Sequence, residues 1–291
     1  MDLVGRHVQH IRIVGRLGRG GMGEVFEGYD ETLQRRVAVK MLHPDRRLSA
    51  EHTARFLREA RLLSQLDHPG ICRVHDLIST DDADFLVLEF IEGRTLRTVM
   101  NRPLPAAEAL RIAHDIADAL ACAHERDIIH RDLKPENVMI AEDGRVRILD
   151  FGIARSASQG IRMDASPGPP IAQQGSDGGE AETLDWDPVG AASGPESPAV
   201  LTQLGSVIGT VAYMSPEQAA GEPSTPATDL YALGIMVQEM LTGRRSYGDS
   251  SGPDLLLRVY RADVDRAQVD DPELDRLVDR MLQLSPSVRP T

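Results

Sequence analysis

Residues 130–137 read HRDLKPEN, and the fold turns on how these eight positions are read. His130, Arg131, Asp132, Lys134, Glu136 and Asn137 crowd around Pro135. A helix interior would not tolerate the proline, which removes a donor and clashes with the preceding turn. A core strand would not tolerate the charges, because a buried charge is costly unless paired. What remains is a tight turn dense in chemistry. Asp132 could accept a proton, Lys134 could neutralise a phosphate and Asn137 could bind a metal. Downstream, Asp150-Phe151-Gly152 supplies a carboxylate, an apolar plug and a flexible residue. Asp150 and Asn137 together offer hard oxygen ligands suited to Mg²⁺, which binds few protein groups plus substrate phosphates. A lone Asp or Asn is often a turn residue capping its own backbone. That explanation does not cover the whole set in this order.

Upstream, GRGGMGEV places Gly18, Gly20 and Gly23 in a G-x-G-x-x-G pattern, with Val25 two residues on. By itself the pattern is weak. It fits a dinucleotide-binding turn, a phosphate-covering hairpin or a plain glycine-rich turn. The dinucleotide reading wants a helix straight after the glycines, and a P-loop wants Lys-Ser or Lys-Thr after the last one. EVFEGYD comes next instead, which reads as a return strand. A hairpin whose glycines let backbone N–H groups approach phosphates, with Val25 roofing a base, fits best. In VAVK, Val37 and Val39 share one strand face, leaving Ala38 and Lys40 on the other. Glu59 stands amid the apolar face of a helical pattern, where an acid needs a partner. A Lys40–Glu59 pair answers both oddities and would aim the ammonium at phosphates.

The surrounding chain has two styles. Up to about residue 91 it reads mostly as strands, with IRIVGRLGRGGMGEVFEGYD as a hairpin, RRVAVKML alternating, and FLVLEFI as a buried strand. One helical pattern, AEHTARFLREARLLSQLD, interrupts them. From about residue 104 helices dominate. Pro105 suits a first helical position, and Leu110, Ala113, Ile116, Ala117 and Leu120 form one apolar face. TDLYALGIMVQEMLTG is apolar almost all round, which predicts a buried central helix with Gly243 near its C-cap. Residues 156–200 differ from both styles. They hold 19 Gly, Pro or Ser, seven acids and one base, Arg162. Such a composition buries too little apolar surface to offset ordering entropy, so a flexible acidic insertion is expected.

Composition narrows the class of function. The net charge of -13 argues against nonspecific nucleic-acid binding. Cys72 and Cys122 are the only cysteines, too few for a disulfide framework and suited to a reducing cytosol. No apolar run approaches a membrane span, and MDLVGRHVQHIRIV lacks a signal-peptide core.

Taken together, GRGGMGEV, VAVK, REARLL, HRDLKPEN, DFG, GTVAYMSPE, TDLYALG and RPT resemble the protein kinases, specifically the bacterial eukaryotic-like serine/threonine kinases. The resemblance covers residues 11–291 outside the acidic insertion. It implies an α+β, two-lobed protein kinase fold: a small β-rich lobe over 11–91 with one main helix, and a larger, mainly helical lobe over 92–291. It implies ATP and Mg²⁺ (or Mn²⁺), and transfer of the γ-phosphate to Ser/Thr hydroxyls of proteins. In that scheme Leu17, Gly18, Gly20 and Gly23 cover the ATP, and Lys40, held by Glu59, contacts its phosphates. Val25, Ala38 and Met139 sandwich the adenine, and Glu89 and Ile91 present backbone groups to it, with Leu88 behind. Asp132 resembles the catalytic base, Lys134 the lysine beside the transferred phosphate, and Asn137 and Asp150 the metal ligands. Thr210 matches a threonine packed beside the catalytic Asp. Glu217 and Arg289 match a buried ion pair, and Asp229 matches the acid that anchors the catalytic loop.

Three departures accompany the match. Asp150 to Glu217 spans 68 residues, about twice what the family implies; SPE stands where APE is more familiar; and Thr291 comes before the family's last helix. The chain is therefore expected to be a fragment or the front of a longer protein, cytoplasmic as a domain, with any membrane tether lying beyond residue 291. Arg131, beside the catalytic turn, calls for an anion. A phosphate on Thr202 or Ser206, a few positions before GTVAYMSPE, would supply one, through autophosphorylation in a kinase-domain dimer. Two rival functions are a pseudokinase scaffold and a small-molecule phosphotransferase of kinase-like fold. The intact Lys40, Asp132, Asn137 and Asp150 speak against the first, and Lys134, Thr210, SPE and Arg289 against the second.

Overall fold

A computed structural model describes residues 3–20, 23–42, 60, 63–80, 83–151, 211–269 and 271–291. Strands β1 (His7–Val8), β2 (Ile11–Gly20), β3 (Gly23–Asp30), β4 (Arg35–Leu42), β5 (Val74–Ser79) and β6 (Asp84–Glu89) form one sheet in the order β1-β2-β3-β4-β6-β5. Every neighbouring pair is antiparallel. Two register shifts in β2, between Ile13 and Gly15 and between Arg16 and Gly18, bend its glycine end.

The strand alternation falls as the period of two requires. Val37, Val39 and Met41 are buried on one face with Ile11, Ile13, Phe26, Phe85 and Val87, forming the core of this lobe. Gly28 belongs to that face because a Cβ there would lie 2.7 Å from the Ile11 side chain. The other face carries Ala38 and Lys40, opposite Glu27 and Val25 on β3 and Leu88 and Leu86 on β6.

The second lobe starts with a three-stranded antiparallel sheet of β7 (Gly93–Thr95), β8 (Val138–Ala141) and β9 (Val146–Ile148). Around it lie α1 (Leu96–Val99), α2 (Ala106–His124), α3 (Pro216–Ala219), α4 (Pro226–Thr242), α5 (Gly252–Tyr260) and α6 (Pro272–Met281). The expected buried central helix is α4, where residues 231–237 are buried without interruption. It opens with a capping box of Thr225 and Thr228 and Pro226 in its first turn. It closes on Gly243 at φ 65°, where a Cβ would lie 2.6 Å from Pro103. Only glycine meets both demands.

Helix α2 differs from its sequence reading in two ways. Pro105 is the N-cap, so the helix begins one residue later. Its fully buried face is Ala109, Ile112, Ile116, Ala119, Leu120 and Ala123. Leu110 is exposed, and with Ala113 and Ala117 it lines an apolar groove against α4 and α6. The small alanines let α2 approach its neighbours closely, which a pattern weighted toward large side chains does not reveal.

The lobes join along Glu89–Gly93 and at a second seam. There Cys72 N–H donates to Ile148 O (2.9 Å) and Ile148 N–H to Gly70 O (2.8 Å). Burial pushes the Cys72 thiol well above the ordinary range, with Glu89 and Asp150 adding to the rise. It therefore packs as a small neutral group. No helix among the described residues is long and apolar enough to cross a membrane. The helical pattern over 50–67 shows helical residues at 60, 63 and 64, while Glu59 and the acidic stretch 156–200 lie outside the described residues.

Candidate active site

The HRDLKPEN turn is held from below by Asp229, in the first turn of α4, where the helix dipole favours a carboxylate. Its Oδ2 accepts the His130 backbone N–H (2.8 Å) and its Oδ1 accepts that of Arg131 (2.8 Å). His124, at the end of α2, also meets Oδ2 at 2.8 Å. Arg131 sits at φ 65° and Asp150 at φ 54°, both left-handed and both non-glycine. Such conformations cost of order 1–3 kcal/mol each and persist only where surrounding contacts over-determine them.

His130 is fully buried and ties the two strained positions together. Its Nδ1 accepts the Asp132 backbone N–H (3.2 Å), which leaves the ring proton on Nε2 to donate to Leu149 O (2.8 Å). The ring packs against Phe151, 4.8 Å between centroids. Leu149 N–H in turn donates to Asn137 O (2.8 Å). So the turn and the segment after β9 that carries Asp150 are one hydrogen-bonded unit.

Within it the functional groups converge. Asp132 Oδ2 accepts from Lys134 Nζ (2.8 Å) and Asn137 Nδ2 (3.2 Å), and Asn137 Nδ2 also donates to Asp132 O (2.8 Å). The Asn137 amide is thereby oriented with its carbonyl oxygen turned away from Asp132, and that oxygen takes no hydrogen bond among the described residues. Asp150 is a second hard oxygen donor. From the other lobe, Lys40 Nζ reaches Asp150 Oδ1 at 2.8 Å. The partner expected for Lys40, Glu59, lies outside the described residues. An oriented amide oxygen and a carboxylate on two segments joined by the Leu149–Asn137 backbone bond are a donor set that fits a divalent cation of the Mg²⁺ type.

The face of the first lobe's sheet above Lys40 carries Ala38, Val25 and Leu88, with Gly18 paired to Val25 and Leu17 exposed beside it. Gly20 pairs with Gly23 at the tip of the hairpin. At the joint, Glu89 N–H donates to Arg73 O (2.9 Å), and the Glu89 carbonyl accepts the Cys72 thiol at 3.8 Å. Among the described residues nothing bonds the backbone of Ile91. Met139 lies on β8, paired with Thr95.

Two further networks flank the turn. Glu217 and Arg289 form a bidentate pair, 2.8 Å at each arm, and Thr228 Oγ1 donates to Glu217 (2.9 Å). Burial alone would raise the Glu217 carboxyl, but the Arg289 guanidinium holds it below the ordinary range. On α1, Arg97 donates to Glu136 (2.7 Å) and to the Tyr213 hydroxyl, which donates to Glu239. Burial and the Glu239 carboxylate push the Tyr213 hydroxyl far up, so it stays a donor.

Gln218 and His124 were not legible from sequence. Gln218 could be read as the fourth member of a capping box with Ser215, but its second bond, to Arg131 O at 2.8 Å, crosses 87 positions. Thr202, Ser206 and Thr210 lie outside the described residues.

A family model described as a protein kinase domain matches residues 11–170 and 185–291. Among curated proteins, the chain is 34% identical to the serine/threonine-protein kinase PrkC of Bacillus subtilis, over 96% of this chain and 38% of PrkC. It is 36% identical to the serine/threonine-protein kinase pkn2 of Myxococcus xanthus, over 96% of this chain and 30% of that protein. A probable serine/threonine-protein kinase PknB of Lactococcus lactis is 32% identical over 93% of this chain and 38% of its own length. The chain thus spans about a third of the length of these relatives.

Proposed function

The chain belongs to the protein kinase family, and we propose that it transfers the γ-phosphate of ATP to Ser and Thr hydroxyls of protein substrates. What carries the reading is the convergence of four groups from two lobes: Asp132 with Asn137 on the turn, and Lys40 on Asp150 at 2.8 Å. The relatives' names and Lys134 on Asp132 favour a Ser/Thr acceptor.

In this mechanism positioning and charge neutralisation carry most of the catalysis. Asp132 accepts the hydrogen bond of the acceptor hydroxyl and aligns it in line with the phosphate. A carboxylate is a weak base for an alcohol, so orientation is its larger contribution. Lys134 neutralises charge next to Asp132, and Lys40 holds the α- and β-phosphates from above, with Glu59 as its second carboxylate partner. Asn137 and Asp150 would hold Mg²⁺ or Mn²⁺, which neutralises the phosphates when bound. Gly18, Gly20 and Gly23 cover the phosphates. Val25, Ala38 and Met139 enclose the adenine, whose polar edge meets the Glu89 carbonyl and the Ile91 backbone. Thr202 or Ser206 takes an activating phosphate. The purified chain tests the reading. Asp132→Asn should lower turnover about a thousandfold, a loss of roughly 4 kcal/mol of transition-state stabilisation. Phosphoamino-acid analysis should return phosphoserine and phosphothreonine. Near-normal turnover in the Asn variant removes Asp132 from its role, and predominant phosphotyrosine removes the acceptor class.

A further inference from the structure

We infer that Gln218 is a positioning residue for the transfer reaction, fixing the Arg131–Asp132 peptide through the Arg131 carbonyl. The inference rests on the reading of Asp132 as the group that orients the acceptor hydroxyl.

That peptide is gripped at both ends. Its N–H, from Asp132, donates to His130 Nδ1 (3.2 Å), and its carbonyl, from Arg131, accepts from Gln218 Nε2 (2.8 Å). The preceding peptide is fixed separately, by Asp229 Oδ1 on Arg131 N–H (2.8 Å). Between the two peptides lies Arg131 at φ 65°. A left-handed non-glycine residue relaxes by rotating a flanking peptide plane, and loss of Gln218 releases the carbonyl end of the plane that carries Asp132. Displacing a reacting group by about 1 Å can cost about a hundredfold in rate.

Gln218 suits this task because its backbone cannot drift. It lies on α3 next to Glu217, whose bidentate pair with Arg289 anchors the helix to the interior of the lobe. Its Oε1 accepts the Ser215 backbone N–H (3.1 Å), which orients the amide and points Nε2 at Arg131. One side chain therefore joins the SPE segment to the catalytic turn. The competing reading is that Gln218 only caps α3, since the Ser215–Gln218 pair is a complete capping box.

Two substitutions separate these readings. Gln218→Glu keeps an acceptor for Ser215 N–H, and Glu is a standard capping-box residue. It replaces the amide donor with an oxygen that faces the Arg131 carbonyl. Gln218→Met loses both donor and acceptor and introduces no charge. With casein as acceptor, we expect kcat to fall ten- to a hundredfold in both variants, with KM for ATP within twofold of the parent chain. Tm should fall in both variants, because each strands the Arg131 carbonyl, and the loss of kcat should persist at temperatures where both remain folded. As pH falls toward the carboxyl range, the Glu variant regains a donor, so its kcat relative to the parent should rise. The Met variant should show no such rise. A Glu variant with parental kcat overturns the inference. So does a loss of kcat that disappears at temperatures where both variants remain folded, or an effect confined to KM for ATP. If Asp132→Asn keeps its turnover, the reading of Asp132 fails independently of either Gln218 result.

Discussion

Two ion pairs built from the same kinds of group behave in opposite ways. Arg289 is saturated. Its two arms take both oxygens of Glu217, and its remaining donors reach Gln283 O (2.9 Å), Ala227 O (2.9 Å) and Leu284 O (3.0 Å). Its guanidinium also lies 4.8 Å from the centroid of Tyr231. Lys40 and Asp150 share one contact at 2.8 Å across two lobes, and the Asp150 side chain is 30% exposed. A planar fork suits a pair that never opens, whereas an ammonium on a flexible stem suits one that must share its partner with a ligand. Saturation marks structure, and spare valence marks the place where a substrate completes the set.

The comparison breaks most visibly at Arg289. Arg289→Ala leaves Glu217 charged, buried and short of its main partner, and removing one member of such a pair costs about 3–5 kcal/mol. Urea unfolding should show that loss as a lower midpoint at unchanged slope. If the midpoint barely moves, burial without a partner is tolerated there and the pair is not a structural anchor.

Lys40→Met should show the reverse. Its phosphate-transfer rate should fall about a thousandfold, equivalent to roughly 4 kcal/mol. Its unfolding midpoint should stay within about 1 kcal/mol of the parent, because Asp150 can turn to water. A Lys40 variant that unfolds as readily as the Arg289 variant would put both pairs in the structural class.

Acid gives a smaller and separable effect. Arg289 depresses the Glu217 carboxyl below its value in the unfolded chain, so the folded state binds fewer protons there. The stabilisation is complete above the unfolded value, about 4.3, and is lost as pH falls through the folded one. Stability of the parent chain should drop below about pH 4 more steeply than that of Arg289→Ala, which lacks the cause of the shift. Parallel acid limbs in a pH series of denaturation curves would locate the acid sensitivity elsewhere.

How much the sequence disclosed depends on the reach of its signals. The HRDLKPEN turn and α4 were legible as structure because their evidence is local: a proline among charges in one case, an unbroken apolar run ending in Gly243 in the other. The alternation of Val37 and Val39 against Lys40 was legible for the same reason. The face of α2 was misread because Leu110 outweighs Ala109, Ala119 and Ala123 in any hydrophobicity pattern, although the alanines are the buried residues. Partners were the least legible. Lys40 meets Asp150, Gln218 meets Arg131, and Arg97 meets Glu136 and Tyr213 across gaps that no spacing rule spans.

The finest test lies beneath the saturated pair. The Tyr231 and Tyr247 hydroxyls share a buried hydrogen bond of 2.7 Å, and the Tyr231 ring forms the floor under Arg289. Burial pushes the Tyr231 hydroxyl up to about 12, so it stays protonated at any working pH. Replacing either residue with Phe strands the other hydroxyl in the core, at a cost of about 1–3 kcal/mol. Replacing both removes the stranded group along with the bond, so the double variant should lose less than the two singles combined. The ring remains in every variant, and so does its contact with the guanidinium. If this polar floor is independent of the pair above it, Arg289→Ala should cost the same in the double-Phe background as in the parent, within about 0.5 kcal/mol. A larger gap would mean that the permanence of the Arg289 pair belongs to the whole web of Glu217, Thr228, Tyr231 and Tyr247.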